Sequence, residues 1–74
     1  MATIRSVRID GRKLTRAREQ RLISRQELAD KAGMHLDHLA RLERGEVRSP
    51  HMRTIRKLVD ALDCAPSEIT AEEE

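Results

Sequence analysis

Seventy-four residues make one small domain, and a chain of that length buries only about 60% of its unfolded surface. Apolar and charged residues each make up 38%, the formal net charge is +2, and Phe, Tyr and Trp are absent. The core must therefore be Leu, Ile, Val, Met and Ala, as in packed helices, and the stacking platforms of single-stranded nucleic-acid binders are excluded.

Residues 3–9 contain β-branched residues, with Val7 and Ile9 alternating around Arg8. They read as a short strand or an extended arm, so 1–10 stands apart from a domain over 11–70. Asp10 has the chemistry of an N-cap, and Ile9 and Leu14 are spaced as a hydrophobic staple. Helix 1 is expected over about 11–22, with Leu14, Ala17, Arg21 and Leu22 on or beside its buried stripe.

Ser24-Arg-Gln-Glu27 is a capping box that opens helix 2. Leu28, Ala29 and Ala32 face inward, and Gly33 suits the left-handed residue beyond a helix end. A third helix is expected over about 36–43, with Leu39 and Leu42 inward, and Gly45 stops it. Ser49-Pro50 is a cap followed by a proline at the first helical position. Helix 4 then runs about 50–62 with Met52, Ile55, Leu58, Val59 and Leu62 at helical spacing. Residues 65–69 suggest a short fifth helix, with Cys64 and Ile69 closing the core. The acidic tail 71–74 is expected to be disordered.

The charge is uneven. Residues 1–25 hold eight basic residues against two acids, whereas 60–74 hold six acids and no base. A basic front and an acidic back orient a domain on a polyanion. The lone Cys64 permits no internal disulfide, no run approaches the roughly 18 apolar residues of a membrane span, and a cytoplasmic location is expected.

Two short helices meeting across a tight turn require a small residue where the backbones approach, a glycine in the turn and apolar residues inside the second helix. Ala29, Gly33, Leu39 and Leu42 meet all of these at helix-turn-helix spacing. The stretch Leu22-Ile-Ser-Arg-Gln-Glu-Leu-Ala-Asp-Lys-Ala-Gly33, with Leu39-Ala-Arg-Leu-Glu-Arg-Gly45 and the run 54–62, resembles the phage-repressor-like (XRE) helix-turn-helix family over about residues 12–70. The resemblance implies an all-α, five-helix bundle that binds double-stranded DNA as a homodimer, with its third helix in the major groove. Carried over by position, it puts Leu36, Asp37 and Arg41 at base edges and Arg25, His35, His38, Arg44 and Arg48 at or beside the phosphate backbone.

Arginine–guanine pairing makes Arg41 the foremost base reader. Asp37 can accept from a cytosine amino group or favour the positive end of helix 3. Leu36 can meet a thymine methyl or cover a neighbouring side chain. His35 stands where the family usually has Ser or Thr.

His35-x-x-His38 can place two metal ligands on one helical face, but no Cys or third His lies at a suitable spacing. Neither a metal nor another cofactor is expected. Cys64 reads as a core residue rather than a nucleophile, and no acid–base–nucleophile set points to an enzyme. The rival to DNA binding is a module of the same fold that binds a protein partner, such as an antitoxin or a transcription co-regulator.

Overall fold

The computed structural model describes residues 6–47 and 51–73. Strand β1 (Ser6–Ile9) leads into helices α1 (Gly11–Gln20), α2 (Arg25–Ala32), α3 (Leu36–Glu43) and α4 (Met52–Leu62). A single 3-10 turn at Pro66–Glu68 and strand β2 (Thr70–Glu73) follow.

Asp10 opens α1 by accepting from the amides of Arg12 and Lys13 at 3.0 and 3.2 Å. Ile9 and Leu14, on either side of this cap, are both buried. The helix ends two residues earlier than its sequence suggests. Arg21 and Leu22 donate back to the carbonyls of Arg18 and Glu19, and Leu22 takes a φ of +56°. That turn throws Leu22 into solvent, 90% exposed, and Ile23 packs against the core in its place.

The Ser24 box forms as expected: Glu27 N–H donates to Ser24 Oγ at 3.1 Å, and Ser24 N–H to Glu27 Oε1 at 3.3 Å. Gly33, at φ +66°, closes α2 while Met34 N–H reaches back to the Ala29 carbonyl at 2.9 Å. Ala29 is fully buried where α2 packs against α3 and α4. Leu39 and Leu42 fix the inner side of α3 against a core of Leu14, Leu28, Leu58, Leu62 and Ile69.

Helix α4 begins at Met52 with His51 as its N-cap, and His51 makes no side-chain cap bond. The expected start at Ser49-Pro50 lies outside the described residues. Met52, expected on the inner stripe, is 68% exposed. At the other end Asp63 turns left-handed, and Arg21 Nε donates to the Leu62 carbonyl at 2.7 Å, taking up an orphaned helix acceptor.

The expected fifth helix is a single 3-10 turn, so the fold has four α-helices among the described residues and a small sheet. Two carbonyls that a longer helix would use are engaged elsewhere. A continuing α-helix would give Pro66 O and Ser67 O to the amides of residues 70 and 71. Instead Pro66 O accepts from Ile69 N–H at 3.1 Å and from the Thr70 hydroxyl at 2.8 Å, and Ser67 O accepts from Lys13 Nζ at 3.3 Å. Lys13 Nζ also donates to Thr70 O at 2.9 Å.

Released from helix, the chain pairs antiparallel with β1, Ile9 opposite Thr70 and Ser6 opposite Glu73. Residues 71–73 are therefore strand rather than a disordered tail, because β1 supplies their backbone partners. The segment 6–9 lies on its own domain. No helix among the described residues is long and apolar enough to cross a membrane.

Candidate nucleic-acid interface

Helices α2 and α3 meet across the Gly33–His35 turn in the arrangement of a helix-turn-helix. Burial of Leu39 and Leu42 determines which side of α3 faces out. Asp37, Arg41 and Arg44, at i, i+4 and i+7, form one exposed stripe, with exposed Leu36 beside its start. His35 is exposed and serves as the N-cap, its Nδ1 accepting from Asp37 N–H at a long 3.4 Å. His38 is half-buried at the margin. Arg48 lies outside the described residues.

Arg25 opens α2 with a half-exposed side chain, but its Nε donates to Glu43 Oε1 at 3.0 Å. Glu43 is the residue the sequence reading passed over. Its side chain is 1% exposed and also accepts from Arg18 Nε at 2.8 Å, Arg18 Nη2 at 3.2 Å and Thr15 Oγ1 at 3.2 Å. Burial by itself pushes this carboxyl upward. The hydrogen bonds from Arg18 and Arg25, the Arg18 charge and the Thr15 hydroxyl outweigh it and hold the group below the ordinary carboxylate range. A visible signal existed: Glu43 lies four residues after Leu39, on the inward stripe.

Much of the basic front is engaged internally. Arg18 also donates to Ile23 O at 3.0 Å, Arg21 to Leu62 O and to Ala17 O at 2.8 Å, and Lys13 to the 3-10 turn. These cations join helices rather than waiting for a polyanion.

Arg44 carries a further partner that the sequence did not announce. Its Nε donates to Glu46 Oε2, and its Nη2 lies 3.4 Å from Oε1. The hydrogen bond and charge of Arg44, with the charge of Arg41, pull the Glu46 carboxyl down. Glu46, and after it the charge of Asp37, hold Arg44 more firmly protonated. Two arginines and two carboxylates thus share the outer side of α3 and its C-terminal turn. Among the described residues, no group of three His, Cys, Asp or Glu is placed to hold a metal ion.

The fold and this exposed stripe define a helix-turn-helix domain, and comparisons with known proteins agree. A family model described as helix-turn-helix matches residues 14–69. The restriction-modification controller protein C.AhdI from Aeromonas hydrophila is 33% identical, with a TM-score of 0.73 over 78% of this chain and 86% of that one. SinR, a master regulator for biofilm formation solved in complex with DNA, is 27% identical, with a TM-score of 0.75 over 80% of this chain and 97% of its own. PhpD, solved with cadmium and hydroethylphosphonate, is 31% identical with a TM-score of 0.74; the match covers 90% of this chain and only 14% of that one. No curated protein sequence matches. The chain belongs to the XRE-type helix-turn-helix family of DNA-binding transcriptional regulators.

Proposed function

We propose that this chain is a sequence-specific regulator of repressor type that lays α3 in the major groove of duplex DNA and acts as a homodimer. The observation that carries the reading is the exposed stripe Asp37, Arg41 and Arg44 on a helix whose other side is locked by Leu39 and Leu42. In this reading Arg41 forks a guanine, Leu36 meets a thymine methyl and Asp37 accepts from a cytosine amino group. Arg25, His35, His38, Arg44 and Arg48 border the phosphates. A single eight-residue α3 spans few base pairs, which favours two copies on half-sites about 34 Å apart.

The test is a fluorescence titration of the chain against random duplex at two salt concentrations. Engagement of several phosphates lowers log K by about 0.9 per contact for each tenfold rise in salt. No binding at low salt sinks the DNA reading. It would favour the second reading, a protein-binding module such as an antitoxin or co-regulator. The pairing of Arg44 with Glu46 and the nearness of Asp37 favour that alternative, because they leave the outer side of α3 close to neutral.

A further inference from the structure

We infer that Glu46 is an internal stand-in for a DNA phosphate, occupying the donor edge of Arg44 and limiting how tightly the domain holds duplex of any sequence. The inference rests on the duplex-binding reading above and adds a residue to it.

The geometry begins at Gly45. Its φ of +76° folds the chain back at the end of α3, and Glu46 N–H donates to the Arg41 carbonyl at 2.9 Å. This closure pins the backbone of residue 46 to the last turn of α3. Its carboxylate is therefore carried by the helix and not by a wandering loop. From there both oxygens face Arg44, one at Nε and one 3.4 Å from Nη2. That is the two-pronged approach by which a guanidinium also takes a phosphate.

Placement of an acid here opposes local electrostatics, since the C-terminal end of a helix carries partial negative charge. Arg44 offsets that cost, and Arg41, one turn earlier, adds its charge. A phosphate that approaches Arg44 must displace the carboxylate and then tolerate it as a near neighbour. Both groups are about half-exposed, at 54% and 51%, so the pair is weak enough to open when a phosphate competes for Arg44.

The experiment measures affinity of the intact chain for random duplex across a salt series, for wild type, Glu46→Gln, Arg44→Gln and the double variant. Glu46→Gln is expected to tighten binding about twofold to fivefold and to steepen the salt slope by up to about 0.9, the share of one added phosphate contact. In the Arg44→Gln background the gain should vanish, because its route is through that guanidinium. Unchanged or weaker binding by Glu46→Gln overturns the inference while leaving DNA binding intact. So does an equal gain with and without Arg44, which would make Glu46 a diffuse charge only. If neither wild type nor any variant binds duplex, the DNA reading itself falls and takes the inference with it. The exposure of both side chains keeps these variants folded, and thermal melts check that.

Discussion

Glu43 and Arg18 tie α3 to α1 through two hydrogen bonds, Nε to Oε2 at 2.8 Å and Nη2 to Oε1 at 3.2 Å. Arg25 brings α2 to the same carboxylate, so three helices share one buried anion. Removing one partner of a buried pair costs about 3–5 kcal/mol, and a marginal domain holds little more than that. Glu43→Gln is expected to lower the melting temperature strongly, as read by circular dichroism; a melt like the wild type's would contradict this.

The same carboxylate sets an acid limit. Its folded pKa lies below its ordinary value of 4.5, so its contribution is complete above that value. The contribution is lost as pH falls through the lower folded value. Chemical denaturation from pH 7 down to 3 should show stability falling below about 4.5, and a Glu43→Leu variant that still folds should show a smaller fall. Equal falls in the two proteins would remove Glu43 as the cause.

Gly11 begins α1 directly against the last turn of α3. A Cβ there would overlap the Glu43 carbonyl oxygen and stand 2.9 Å from that of Leu42, and both are backbone atoms that cannot swing away. Gly11→Ala should cost about 1–3 kcal/mol by overpacking. At Gly33 a Cβ meets nothing within 4 Å, so Gly33→Ala should cost only the left-handed conformation, about 1–2 kcal/mol. Structural rearrangement near Glu43 should therefore appear in the first variant alone, visible in the amide spectrum.

Leu22 is both exposed and left-handed, at φ +56°. Its side chain contributes almost no burial, and its conformation costs about 1–2 kcal/mol that glycine does not incur. Glycine gives back about 0.5–1 kcal/mol in unfolded-state freedom. Leu22→Gly should still raise the melting temperature by a few degrees. A lowered melting temperature would mean that Leu22 makes a contact worth more than its strain.

On DNA, Arg41→Ala should cost about 1–3 kcal/mol on the preferred duplex and relax preference at one base position. Arg25→Ala should weaken all sequences alike, and because Arg25 also holds Glu43 its stability must be measured beside its affinity. Equal losses on preferred and scrambled duplex for Arg41→Ala would remove it as a base reader.

Local rules made much of the scaffold legible. The Asp10 cap, the Ser24–Glu27 box and Gly33 each act within a few residues, so their chemistry is visible in the string. The strand at 6–9 was legible as one of two readings, but its pairing was not, because Ile9 finds Thr70 across almost the whole chain and nothing near either residue announces it. The 3-10 turn was missed for a similar reason: Lys13, from α1, takes the carbonyl that a longer helix would have used. Leu22 defied a preference, since a bulky residue rarely turns left-handed. Within the interface, inward and outward faces of α3 could be told apart by spacing. The occupancy of Arg25 and Arg44 by carboxylates could not, because one partner lies on another helix and the other beyond a glycine turn.

The pairing of β1 with β2 also joins the two ends of the described chain. The helices and their turn form from near neighbours, whereas Ser6 cannot meet Glu73 until residue 73 has left the ribosome. The ribbon has only two strands, so its amides are expected to exchange with solvent faster than those of the buried Leu39 and Leu42. Equal protection would mean that the domain opens only as a whole.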